Sequence, residues 1–131
     1  MKYCLYSDEE KKFFTVRATG SADVEKIHAM LNELMVHNEW HKGMDTLLDF
    51  SEMNFLCLDT DEIVQLSTIV KSLKENLGDG QCALVTNREI DFGLARMWQM
   101  MTEHHVSFEI EVFTSVTDAE QWLCDQSLAN L

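Results

Sequence analysis

The sequence predicts a single α/β domain with a mainly parallel sheet, and three observations carry the prediction. Strand-like runs alternate with helical patterns along the chain, which favours parallel strands joined by crossover helices. Two apolar runs, MDTLLDF (Met44 to Phe50) and QCALVT (Gln81 to Thr86), have the character of interior strands. The chain has 131 residues and shows no repeat, linker or low-complexity stretch, so residues 1–131 read as one domain with length enough for a real core.

Each element follows from local pattern. KYCLY (Lys2 to Tyr6) and KFFTVRAT (Lys12 to Thr19) are β-prone runs separated by charged residues, which predicts a hairpin. Ser21 is placed to cap a helix whose one face carries Val24, Ile27, Leu31, Leu34 and Met35. After the Met44–Phe50 strand, Ile63, Leu66, Ile69, Val70, Leu73 and Leu77 fall on one face of a second helix that ends at GDG. Beyond QCALVT, Thr86 and Glu89 match a capping box for a third helix bearing Ile90, Leu94, Met97, Trp98 and Met101. VSFEIEVF (Val106 to Phe113) alternates apolar residues with Ser107, Glu109 and Glu111, predicting a strand with one wet face, as at a sheet edge. A last helix centres on Ala119, Trp122 and Leu123. The predicted order is β-β-α-β-α-β-α-β-α.

Charge excludes several function classes. Acidic residues number 23 against 10 basic ones, for a net charge of −13. No stretch gathers Lys and Arg into a stripe, so the phosphate neutralisation that nucleic-acid binding requires is missing. The same charge opposes docking on anionic lipid headgroups and would steer in a protein partner with a basic face. The N-terminus turns acidic before any apolar stretch develops, and no apolar run has the length of a membrane span. Cys4, Cys57, Cys82 and Cys124 show no C-x-x-C spacing and sit among apolar residues, as reduced thiols of a cytoplasmic protein do.

The string DFGLAR (Asp91 to Arg96) occurs in protein kinases, where its Asp holds a magnesium ion. Here no G-x-G-x-x-G, H-R-D or A-P-E accompanies it, and its residues fall on a helical repeat. A glycine inside a helix costs about 1 kcal/mol relative to alanine, so Gly93 points to close packing or a ligand wall. His37 and His41 stand at i,i+4 spacing without an evident third metal ligand, and both they and Glu103–His105 read as helix ends near the negative pole of the dipole. Ser51 follows Asp49 but lacks a G-x-S-x-G elbow. The expectation is a non-enzymatic chain without cofactor or metal.

The stretch LLDFSEMNFLCLDTDEIVQL (Leu47 to Leu66) resembles the central strand and following helix of STAS domains, the SpoIIAA-like anti-sigma-factor-antagonist group. Leu48, Asp49, Phe50 and Ser51 fit that family's D-[LFV]-S strand end, and Asp59 and Thr60 fall near its D-S pair. CALVT, FGLARMW and VFTSVTDAEQWL are similar to an uncharacterised branch described as SpoIIAA-like or STAS/SEC14-like. The resemblance implies a SpoIIAA-like fold acting through partner docking, with Thr60 in the position of the phosphorylated serine. Two extra residues precede this site, and Asp61 and Glu62 stand where the family has a small residue and glycine. Phosphate added beside Asp59, Asp61 and Glu62 meets like-charge repulsion, partly offset by the helix N-terminus. The same residues also make an ordinary cap.

Two binding readings follow. In one, Asp59, Thr60, Asp61 and Glu62 form a docking surface or phosphoswitch for a protein partner. In the other, Phe92, Leu94, Met97 and Trp98 hold a small lipophilic molecule, a ligand class the SEC14-like description also implies. Eight methionines and three tryptophans supply an adaptable apolar surface. The second and third helices would equally serve a homo-oligomer interface.

Overall fold

β1 (Lys2–Ser7) and β2 (Phe14–Ser21) form the antiparallel hairpin, paired from Lys2 with Thr19 to Ser7 with Phe14. The structure is a computed structural model that describes residues 1–7, 10 and 12–129, with side-chain surroundings through residue 125. Along β2, Phe14, Val16 and Ala18 are fully buried while Arg17 between them is exposed, the alternation that a half-covered strand requires.

β3 (Thr46–Asn54), β4 (Gln81–Val85) and β5 (Glu109–Phe113) then join in chain order, each parallel to its predecessor. The sheet order is β1-β2-β3-β4-β5. β5 is the edge strand its wet face predicts, with Ile110 and Val112 buried. It is shorter than the alternating run, because residues 103–105 form a 3-10 turn and the chain bends before Glu109.

The helices are α1 (Val24–Val36), α2 (Thr60–Ser72), α3 (Lys74–Leu77), α4 (Glu89–Thr102) and α5 (Val116–Ala129). The expected order holds, with the short α3 added where a single helix was predicted to continue to Leu77. Each crossover from β2 to β5 steps one strand in the same direction, and right-handed connections of that kind put their helices on one face. Accordingly α1, α2 and α4 share one core with Phe14, Val16, Leu48, Phe50 and Leu84. α5 turns back beneath the other face, where Ala119 and Leu123 meet Phe13, Leu47, Ala83 and Val85.

Four local expectations are corrected. Ser21 ends β2, and the cap of α1 is Asp23, whose carboxylate accepts from the Lys26 N–H at 3.0 Å. Thr86 does not cap α4; Arg88 occupies that position, and the Thr86 hydroxyl is buried without a partner. Gly93 is exposed, and a Cβ there would meet nothing within 4 Å, so it marks neither close packing nor a ligand wall. α1 stops at Val36 with His37 as its C-cap, the helix end expected there, but His41 lies beyond the helix, so the two share no helix face.

β3 carries a register shift: Arg17 pairs with Asp49, but Thr19 pairs with Glu52. The extra residue resets the side-chain alternation, so that Phe50 and Met53, an odd number of positions apart, both enter the three-helix core. Asp49 accepts from the Ser51 N–H at 3.2 Å and from its hydroxyl at 2.6 Å within this bulge. No helix among the described residues is long and apolar enough to cross a membrane.

Candidate functional site

Between the sheet and the three helices lies an apolar cavity of about 110 Å³. Its floor is Leu48, Phe50 and Leu84; α1 contributes Met30 and Leu31, and α2 contributes Leu66 and Val70. The void follows from the residues on α4. The most buried positions of that helix are Asp91, Ala95, Gln99 and Thr102, so its inward stripe is small or polar. Its large side chains, Leu94 and Trp98, flank this stripe and close the cavity from one side. The expected ligand residues therefore separate: Leu94 and Trp98 line the cavity, whereas Phe92 and Met97 pack half-buried against the core elsewhere.

The polar residues of α4 are held by partners. Thr102 donates to the Trp98 carbonyl at 2.7 Å, which leaves Ser67 of α2 as donor in the 2.7 Å Ser67–Thr102 bond. Gln99 donates to the Ile110 carbonyl at 2.6 Å. Asp91 accepts from the Phe55 N–H at 3.0 Å and from Arg88 Nε at 2.7 Å. These bonds fix α4 against α2, β5 and the β3–α2 loop, so the cavity walls are tied at three points.

At one end of the cavity the character changes. Thr46 and Cys82 are register partners at the starts of β3 and β4 and line this end together with Trp40. Trp40 Nε1 donates to Thr46 Oγ1 at 3.4 Å, and that hydroxyl donates to the Met44 carbonyl at 3.4 Å. Burial pushes the Cys82 thiol up to about 12, which favours the neutral thiol in this apolar wall. The end is closed by the GDG turn against the loop before β3. A Cβ on Gly80 would lie 2.5 Å from the Gly43 carbonyl oxygen, so only glycine permits this approach. Sequence reading did not assign Trp40, Thr46 or Cys82 to a site, since HNEWH reads as a helix end. Their conjunction is set by strand register.

The second expected site is the start of α2. Asp59 accepts from the Glu62 N–H at 2.8 Å, and Glu62 accepts from the Asp59 N–H at 3.2 Å, a complete capping box. Thr60 and Asp61 are exposed in the first turn. Three large apolar side chains stand in solvent nearby or on the adjoining element: Leu56, Val64 and Ile90. The Phe55–Asp91 bond joins the loop carrying Leu56 to the helix turn carrying Ile90. Among the described residues no three His, Cys, Asp or Glu side chains converge as metal ligands.

No protein-family model matches the sequence, and no curated protein matches it. Among solved structures, the chain is similar to an uncharacterised protein of the DUF3478 family with a SpoIIAA-like fold from Shewanella loihica PV-4. The TM-score is 0.59 at 17% identity, covering 94% of this chain and 93% of that one. At that identity the likeness is one of fold, and it spans the whole five-stranded architecture. The chain is an α/β domain with a SpoIIAA-like fold.

Proposed function

We propose that this chain is a non-enzymatic STAS-like module that binds a small lipophilic molecule in the cavity between α1, α2, α4 and the sheet. The observation that carries the reading is an apolar void of about 110 Å³ inside an otherwise well-packed core. An unfilled apolar cavity destabilises a protein by roughly 24 cal/mol per Å³, so this one leaves about 2–3 kcal/mol to be recovered by an occupant. Such cavities stay dry and take apolar guests. The free cysteines, net acidity and uncharged pocket fit a cytoplasmic carrier or sensor.

Native and denaturing mass spectra of protein purified from its own source test the reading. Extra mass that is present natively and lost on denaturation is the expected result. Trp98→Ala should release that mass while the circular dichroism spectrum stays unchanged; a folded variant that retains its ligand would remove Trp98 from the site.

A second reading, docking of a protein partner with a basic surface, is supported by the exposed Leu56, Val64 and Ile90 beside the acidic Asp59, Asp61 and Glu62. Thr60→Glu, which adds the charge of phosphorylation next to the exposed Leu56 and Val64, should weaken capture of a partner that packs on those apolar side chains, because the new charge must be desolvated on docking. Unchanged pull-down by the variant would count against Thr60 as the switch, and self-association through the same patch would appear as a dimer in sedimentation.

A further inference from the structure

Resting on the cavity reading, we infer that the ligand is a neutral molecule, hydrocarbon over most of its surface, whose single oxygen accepts a hydrogen bond from Trp40 Nε1–H at the Thr46–Cys82 end. The indole N–H is a donor only, and Trp40 is 9% exposed, so water does not serve it freely. Its partner, Thr46 Oγ1, lies at 3.4 Å, outside the 2.7–3.2 Å range of a good N–H···O bond. The bond from Thr46 to the Met44 carbonyl is equally long. Both groups are thus held near each other with hydrogen-bonding capacity in reserve at the Thr46–Cys82 end of the apolar cavity, where Gln81, whose Oε1 is buried without a partner, also lines the wall.

Charge then narrows the head group. The lining includes no Lys, Arg or His, and Asp45, next to Thr46, is a half-buried carboxyl whose pKa is raised by burial. An anionic head would enter without a counter-ion beside a like charge, which is strongly unfavourable. An ammonium head would forfeit the indole donor. A neutral ketone or alcohol oxygen satisfies Trp40 and leaves Thr46 free to keep its bond to Met44.

The test is calorimetric titration of methyl butyl ketone, hexane and hexanoate at neutral pH into the wild type and Trp40→Phe. The variant keeps an aromatic ring but loses the indole N–H together with three ring atoms, so hexane serves as the control for the added space. The ketone should bind the wild type and weaken about five- to ten-fold in Trp40→Phe, the size of one net hydrogen bond. Hexane should bind both proteins within two-fold, which also shows that the variant is folded, and hexanoate should not bind measurably. Ketone affinity that is unchanged by Trp40→Phe, or that falls together with hexane affinity, overturns the inference, as does hexanoate binding on a par with the ketone. If none of the three binds the wild type saturably, the cavity reading itself falls.

Discussion

The two faces of the sheet solve the same burial problem in opposite ways. Under α5, small and large residues interlock: Ala83, Val85 and Ala119 are at 0% exposure, Leu123 at 1%, and Phe13 and Leu47 at 2%. A single helix therefore covers this face, with Ala119 and Leu123 fully enclosed against the strands. Over the other face, three helices bring mostly large aliphatic side chains, yet the α4 stripe of Asp91, Ala95, Gln99 and Thr102 does not reach the floor. Packing density decides stability where side chains interlock, so the α5 face is the framework and the three-helix face is the part with room for function.

The same substitution on the two faces should separate them most clearly. Ala119→Leu forces three extra carbon atoms into a filled space and should destabilise by about 2–3 kcal/mol. Ala95→Leu grows into the cavity and should change stability by less than about 1 kcal/mol while blocking ligand uptake. Urea denaturation of both variants checks the pair; equal losses would abolish the distinction between the faces.

A smaller effect is expected at the tie between the β3–α2 loop and α4. Asp91→Ala leaves the Phe55 N–H buried and unpaired and frees Arg88, a loss of about 1–3 kcal/mol. Hydrogen exchange should rise first at Phe55 and in the first turn of α4, while the amides of α5 stay protected. Exchange that rises evenly on both faces would mean that Asp91 acts on the fold as a whole.

The smallest effect is a pH dependence at Asp45, in the loop before β3. Asp45 accepts from the Gln81 N–H at 2.9 Å, yet burial first, and the Glu109 charge in addition, raise its pKa above 3.8. A carboxyl with a raised folded pKa contributes stability that is present in acid and lost as pH rises through that folded value. Asp45→Asn keeps an acceptor for Gln81 and should raise the melting temperature at neutral pH. The advantage should vanish in acid below the ordinary value of 3.8; a gap that persists there would assign the effect to something other than ionisation.

Much of this fold is legible in the sequence because period and face agree in most elements. Ile27, Leu31 and Leu34 on α1, and Ile63, Leu66 and Val70 on α2, are buried as their spacing predicts. α4 is different: its position was readable, but not its innermost stripe. Ile90 satisfies the helical repeat and is 51% exposed, whereas Asp91 and Gln99 break it and are at 1% and 3%. Polar residues turn inward there because the Phe55 amide and the Ile110 carbonyl await them, and those partners are distant in sequence. The candidate site was half visible for the same reason. Leu94 and Trp98 could be singled out by type, while the Trp40–Thr46–Cys82 end exists only once β3 and β4 are in register.

The most direct test of the central claim is a methyl-resolved NMR titration of the wild type with methyl butyl ketone. The account predicts saturable shifts at Leu66, Val70 and Leu94, with the methyl groups of Val85 and Leu123 under α5 unmoved. Absent saturation, or equal shifts on both faces, would contradict the assignment of the three-helix cavity as a binding site.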